Sequence, residues 1–372
     1  MGKIKVLHII NGANRGGIQS VIFNYYKYID RTRFQFDFVI PQGTLGPIVP
    51  EFEKLGSTFF ELPPKGKHPI GFIKGLCKLL KRNHYDVVHA HHHSSSYFPL
   101  FIALFCGVKC RVAQCHSFMV KESVLTKIKR YIGIVLNNLS SNLRFACTDD
   151  AANHLFGKSL RRFFPVTVLP NGVEPENFLF SEEGRSLVRE EFNIANSTLV
   201  FGIVARMTPE KNQKFLIDVL VEILKNRNDV KLLFVGDGPQ RSELSDYACL
   251  RNVAGNTIFT GVRQDLVNML CAMDVFTLPS LYEGSPVSAV EAAANGLPVV
   301  FSSRITKGLQ FLNNVAYVDI NNNYEEWART IVELSTKGRD VNAIKTINEN
   351  GYNVRSIAKL LADSYLRIIE KK

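Results

Sequence analysis

Two glutamates, Glu283 and Glu291, have seven residues between them in LYEGSPVSAVEAAANGLPVV (281–300), a stretch otherwise built from small and apolar residues. A solvated helix face mixes both charge signs at three- and four-residue spacing. This stretch does not, so its carboxylates need polar partners. Ser285 reads as a helix cap, Pro286 as the first helical residue and Asn295-Gly296 as the stop. That reading puts Glu283 in a strand-to-helix loop and Glu291 between one and two turns into the helix. The turn at Gly284, Ser285, Pro286 and Val287 then opens a helix whose free N–H groups suit an anion. A cationic pair lies upstream in GIVARMTPEKNQ (202–213), where Arg206 ends a strand and Lys211 begins the next helix. Two cations at a strand's carboxyl end suit a diphosphate, with Arg206 forking two oxygens and Lys211 acting as a point charge.

Other motifs are less specific. HIINGANRGGIQS (8–20) runs strand, glycine loop, helix, but lacks GxGxxG spacing and a following acidic residue. It is either a turn packing a helix on a strand, or a place where Gly16 and Gly17 let the backbone approach a diphosphate or sugar. VGDGP (235–239) offers Gly236 for a close backbone approach, and FTGVRQD (259–265) leaves Val262 and Arg263 at an edge where a base can lie. His89, His91, His92 and His93 in VVHAHHHSSS, two of them alternating along a strand end, are not read as a metal shell. They are expected to line a cleft as a strand-end polar cluster. His116, at the end of another strand, is either a hydrogen-bonded structural histidine or a group that touches the reacting centre. Thr148 with Asp149 and Asp150 reads as a capped helix start, not a metal-binding pair. No metal and no cofactor are expected.

The elements that must hold these residues alternate. Strand-like runs KVLHII, FDFVI, VVHA, RVAQC, RFAC and VTVLP are separated by helical stretches, and a second series begins at LVFGIVA and continues through KLLFVG, NTIFTG, DVFTLP, LPVVFSS and VAYVDI. This is an α/β pattern of two Rossmann-like, doubly wound domains, residues 1–170 and 199–352, joined by a polar connection at 171–198 and followed by a helix at 353–372. Ligands of such sheets bind at the carboxyl ends of the strands, where every motif above falls.

Up to Pro170 the chain has 23 Lys+Arg against 9 Asp+Glu, and beyond it 22 against 25. The first domain therefore suits an anionic partner, and its basic, apolar-backed helices IGFIKGLCKLLKRN and KESVLTKIKRYIGIVL fit peripheral contact with an anionic membrane. No interleaved aromatic and basic platform points to nucleic acid. The seven cysteines show no CxxC pairing and read as reduced core thiols. With no apolar run long enough for a membrane helix and no leader pattern, a cytoplasmic location is expected.

RMTPEKN, VGDGP and SLYEGSPVSAVEAAANGLPVV together resemble the C-terminal domain of the family-4 retaining glycosyltransferases of the GT-B fold, which carry a Glu-seven-residues-Glu signature there. The GG after the first strand, the strand-end His116, PNGV at the domain junction and the long final helix extend the resemblance over nearly the whole chain, closest to capsule and exopolysaccharide enzymes. It implies two domains facing across a cleft, with the last helix returning to the first domain. It also implies that Arg206 and Lys211 neutralise a leaving nucleoside diphosphate in place of a metal. Glu283 would contact the donor sugar, Glu291 the ribose hydroxyls, Gly284 to Val287 the sugar and phosphate, and Val262 the base. Gly17 and His116 would close the site, His116 near the sugar. The implied reaction moves a sugar from a nucleotide sugar, a UDP-sugar, to a hydroxyl of a glycan or polyprenyl-diphosphate-linked glycan with retention. A sugar-nucleotide epimerase of the same fold is the alternative. Ser285-Pro286 replaces the Phe-Gly of many members.

Overall fold

A computed structural model describes residues 2–14, 16–116 and 124–371. It divides into two compact units, Met1–Gly172 with Val354–Lys372, and Val173–Asn353. Unit 1 alternates β1 (Ile4–Ile9), α1 (Gly17–Tyr28), β2 (Phe34–Pro41), α2 (Val49–Glu53), β3 (Phe59–Leu62), α3 (Pro69–Asn83), β4 (Val87–Ala90), α4 (Tyr97–Phe105), β5 (Cys110–Cys115), α5 (Val124–Ser140), β6 (Leu143–Ala146), α6 (Asp149–Phe156) and β7 (Thr167–Val168). The seven strands are parallel in the order β3-β2-β1-β4-β5-β6-β7.

Helices on both faces bury these strands, so the sequence shows continuous apolar runs instead of alternation. In α3, Phe72, Leu76 and Leu80 recur every fourth residue and are buried, leaving Lys74, Lys78, Lys81 and Arg82 outside the core. The cap predicted for α6 is present, Thr148 Oγ1 accepting from the Ala151 N–H at 3.2 Å. Two features depart from the sequence reading. The short edge strand β3 is not among the expected strands, and α4, an apolar segment, leaves Phe105 at its end 85% exposed. Among the described residues the seven thiols form no disulfide.

Unit 2 contains α7 (Glu182–Glu191), β8 (Leu199–Val204), α8 (Gln213–Leu224), β9 (Val230–Val235), α9 (Arg241–Leu250), β10 (Thr257–Gly261), α10 (Leu266–Ala272), β11 (Val275–Leu278), α11 (Val287–Ala294), β12 (Val299–Ser302), β13 (Val315–Val318), α12 (Tyr324–Ser335) and α13 (Ala343–Glu349). Its six parallel strands run β10-β9-β8-β11-β12-β13. The final helix, α14 (Val354–Ile369), belongs to unit 1 and packs its Val354, Ile357, Ala358, Leu361 and Tyr365 face there, against α1 among others.

The stretch expected as a connection is instead built into unit 2 from Val173 onward. Its helix α7 packs on α10, and Val188 and Ile194 enter the core. Arg189 is buried beside them, donating to Asp274 at 2.9 Å and to the carbonyls of Ala272, Ala195 and Thr198, while Arg185 takes the second Asp274 oxygen at 2.7 Å. Charged residues made the segment read as polar; here the guanidinium donors are spent on internal acceptors, which makes burial tolerable.

Candidate functional site

In an open α/β sheet, the crevice lies where successive connections leave in opposite directions. In unit 2 that point is between β8 and β11, neighbours paired in parallel through Phe201–Val275 and Gly202–Phe276. The loop after β8 carries Arg206 and Lys211, and the loop after β11 carries Glu283. Two backbone-anchored bonds join the loops: the Leu281 N–H donates to the Glu210 carbonyl at 2.9 Å, and Asn212 Nδ2 donates to the Pro279 carbonyl at 3.2 Å. Asn212 adopts a left-handed conformation (φ 55°), which asparagine tolerates and which turns the chain from Lys211 into α8. The Lys211 ammonium forms an ion pair with Glu283, and the buried Ser280 hydroxyl donates to the same carboxylate oxygen at 2.8 Å.

The sequence treats Lys211 and Glu283 as separate binders; the fold pairs them. Nothing in the sequence marks Ser280, Asn212 or Gln213 as its supports, since each acts across a contact that only strand order creates. Gln213 Nε2 holds the Arg206 carbonyl at 3.0 Å. The Arg206 side chain is exposed, and among the described residues no group binds its guanidinium.

Helix α11 begins one residue later than expected. Pro286 is the N-cap, with ψ 108°, and no side chain caps the helix, so Ser285 is not the cap and Pro286 is not the first helical residue. The proline φ of −72° suits a helix, but its extended ψ keeps it outside. Gly284 and Ser285 are buried, while Pro286 and Val287 are partly exposed. The small face Ala289, Ala292, Ala293 and Ala294 is buried, leaving Glu291 half-buried on the same helix. No described residue hydrogen-bonds the Glu291 carboxylate, and burial pushes its pKa up to about 7. A carboxylate held like this is poised to accept hydroxyl donors.

The donor-side glycines and Arg263 need correction. Gly236 (φ 133°) and Gly238 bring the VGDGP turn against the Arg206 loop: an added Cβ would stand 2.2 Å from the Ala205 carbonyl oxygen or 2.4 Å from that of Met207. Packing between the two loops by itself requires glycine at Gly236. Arg263 is committed to Asp265 and Glu191 through four bonds of 2.7–2.8 Å, leaving only its backbone for a base. Val262 beside it is 73% exposed.

In unit 1 the corresponding change of direction lies between β1 and β4, where His8 pairs in register with His89. Of the four histidines expected to line a cleft, His93 is partly exposed and the other three are buried within unit 1. His8, His89, His91, His92 and His116 are all buried. His8 Nδ1 and His91 Nε2 are 3.0 Å apart, His91 Nδ1 and His116 Nε2 2.7 Å, and His89 Nδ1 meets the Tyr365 hydroxyl at 2.7 Å. One nitrogen from each of His8, His89 and His91 lies within 4.8 Å of the other two, close enough to consider a cation. The His8 and His89 rings stack on His91 with centroids 5.3 and 4.2 Å away. Gly16 is extended and caps α1 without a side-chain bond, and a Cβ on Gly17 would meet nothing within 4 Å. Neither glycine is demanded by backbone strain.

Residues 198–337 match the family described as glycosyl transferases group 1, and residues 15–177 match glycosyltransferase family 4. The chain is 30% identical to EpsF of Bacillus subtilis, to which glycosyltransferase activity is ascribed, over 99% of this chain and 97% of that one. It is 28% identical to the UDP-Gal:alpha-D-GlcNAc-diphosphoundecaprenol alpha-1,3-galactosyltransferase of Escherichia coli, over 81% and 80% of the two chains. The crystal structure of Anabaena HepE in complex with UDP-glucose superposes with a TM-score of 0.80 at 18% identity, covering 97% of this chain and 98% of that one. The chain belongs to the family-4 glycosyltransferases and has their GT-B fold.

Proposed function

We propose that the protein transfers a sugar from a UDP-sugar to a hydroxyl of a glycan or lipid-diphosphate-linked glycan in surface-polysaccharide synthesis, with retention at the anomeric carbon. The observation that carries this reading is the joined pair of loops at the β8/β11 change of direction, with Arg206, Lys211 and Glu283 on the loops and Glu291 on α11. Arg206 and Lys211 stabilise the diphosphate as the bond from anomeric carbon to phosphate oxygen breaks. The acceptor oxygen bonds to the same face of that carbon, and its proton passes to the departing phosphate. Glu283 orients the sugar, with the Gly284 to Val287 turn beside it, and Glu291 accepts from the ribose hydroxyls. The Val262 backbone takes the base. The UDP ligand of the HepE structure and the donor named for the E. coli relative support the nucleotide.

A thermal-shift panel tests the nucleotide choice. Saturating UDP and a UDP-sugar, at about 100 times Kd, add about 2.7 kcal/mol of stability, while GDP- and ADP-sugars add little. The shift and turnover persist in excess EDTA, because two cations replace a metal. An equal response to all nucleotides, or chelator-sensitive turnover, contradicts this reading.

The acceptor side favours contact with an anionic membrane. No described helix is long and apolar enough to cross one. On α5, however, Ile128, Tyr131, Ile132, Val135 and Leu139 form a stripe at helical spacing, each at least 50% exposed, among Lys127, Lys129 and Arg130. The other basic helix, α3, turns most of its apolar face inward. The protein is therefore expected to sediment with anionic liposomes at moderate salt, and Ile128→Asp with Ile132→Asp to leave it in the supernatant. Wild-type protein in the supernatant ends the membrane proposal.

A further inference from the structure

Unit 1 has a cavity of its own at the carboxyl ends of its strands. It has a volume of about 170 Å³ and lies where the connections after β1 and β4 part, with Ile10 and Asn11 following β1, Pro63 and Lys65 following β3, and His92 following β4. That is the place where an open α/β sheet holds a ligand. Its walls are mostly apolar, and Phe72 of α3 contributes one of them. The volume is well below the roughly 300 Å³ at which pockets for drug-sized ligands begin, so it suits one small group and not a whole nucleotide sugar.

Of the lining residues only Lys65 is charged. It is half-buried, and its Nζ donates to His92 Nδ1 and to Ser95 Oγ, both at 2.9 Å. An ammonium has no lone pair, so His92 Nδ1 accepts and the His92 proton is on Nε2, beside the Ile10 carbonyl. Burial keeps His92 uncharged, its pKa lowered to about 3. Ser95 is fixed as an acceptor too, because its own hydroxyl donates to the His92 carbonyl at 3.1 Å. Both partners of the ammonium are therefore neutral. Among the described residues no carboxylate pairs with Lys65, and burial alone lowers its pKa, to about 8. Two of its three N–H groups are taken, and the third has no acceptor among the described residues. An oriented, partly desolvated cation without a counter-charge is unfavourable, and an anion in the cavity relieves it.

We infer that this cavity is a second anion site of the chain, in which Lys65 takes one phosphate of a phosphate or diphosphate ester whose hydrocarbon side lies on the apolar wall. A compact ammonium suits a phosphate oxygen. The wall favours an ester over a bare anion, which gains nothing from Ile10, Pro63 or Phe72. The hydrocarbon has a continuation outside, since α3 also carries Ile70 and Ile73, exposed at 68% and 37%. Identifying this ligand with the lipid side of a lipid-diphosphate-linked acceptor rests on the functional reading above; the anion site does not.

The test is calorimetric titration of the full-length protein in the Lys211→Ala background, which disables the diphosphate site proposed on unit 2. The probes are geranyl diphosphate, which has the head and a hydrocarbon but no sugar, and inorganic pyrophosphate, which has the head alone. One geranyl diphosphate is expected per chain, bound at least about tenfold tighter than pyrophosphate, the worth of about two buried methylenes. Adding Lys65→Gln, which keeps a donor for His92 and Ser95 but no charge, weakens it about tenfold or more, the scale of a hydrogen bond to a charged group, and Lys65→Arg restores most of the affinity. Should Lys65→Gln not fold, Asn11→Trp, which fills the cavity from its exposed rim without touching Lys65, is expected to block binding instead. Affinity unmoved by Lys65→Gln and by Asn11→Trp, binding that is absent once Lys211 is removed, or pyrophosphate bound as tightly as geranyl diphosphate overturns the inference. Lys65-dependent binding in a protein that takes up no UDP-sugar supports the cavity and instead refutes the proposed function.

Discussion

Lys211→Ala is expected to give a folded protein whose kcat falls by about 10²–10³, the loss seen when one preorganised group that stabilises transition-state charge is removed. The size of the loss follows from where Lys211 sits. Its ammonium pairs with Glu283, and Ser280 donates to that same carboxylate. Removing the cation leaves Glu283 with a hydroxyl donor and partial solvent, so stability falls only modestly. Turnover falls far more, because the departing diphosphate loses a charge that no other described residue of that loop can replace except Arg206. Arg206→Ala should cost turnover comparably with even less effect on stability, since the exposed guanidinium is bound by no described residue. Steady-state kinetics alongside melting curves separate the two effects. Near-normal kcat in Lys211→Ala removes the diphosphate role.

Glu291→Gln should raise stability at pH 8 while weakening donor binding. Burial raises the Glu291 pKa from 4.5 to about 7 in the folded protein, so folding takes up a proton between those values. Stability from this group is accordingly highest below pH 4.5, declines as pH rises toward 7, and stays low above. The full shift corresponds to about 3 kcal/mol, and partial exposure reduces what is realised to about 1–3 kcal/mol. Glutamine carries no charge to desolvate, so the variant should melt several degrees later than wild type at pH 8 and similarly at pH 5. It also loses a charged acceptor for the ribose hydroxyls, and UDP affinity should drop about tenfold or more, the worth of a charge-assisted bond. Melting curves and UDP titrations at both pH values check the pair of effects; a variant that melts no later than wild type at pH 8 contradicts the burial of Glu291.

How much was legible in the sequence follows from the range of the physics involved. Thr148 as a cap, VVHA as β4 and the α14 segment depend on local chemistry and appear where the residues predict them. The alternation of short apolar runs and helical stretches likewise specified two parallel α/β units. The start of α11 was misplaced by one residue because the sequence shows that Pro286 has a helical φ but not that its ψ is extended. The segment 171–198 looked like a linker because Arg185 and Arg189 are charged; their burial is visible only once Asp274 is brought beside them, 85 and more residues along the chain. Glu283 and Lys211 are 72 residues apart, and their pairing requires β8 and β11 to be neighbours across the change of direction. The packing of Gly236 against the Arg206 loop depends on β8 and β9 being neighbours, which no local run shows. His8, His91 and His116 lie on three separate runs, and no single run reveals that they form one chain.

A crystal structure with a UDP-sugar would show directly whether unit 2 binds the nucleotide sugar through these groups. The ribose hydroxyls are expected on the Glu291 carboxylate, the diphosphate between Arg206, Lys211 and the N-terminus of α11, and the sugar at Glu283. A nucleotide bound elsewhere, or bound with Glu291 and both cations untouched, would contradict it.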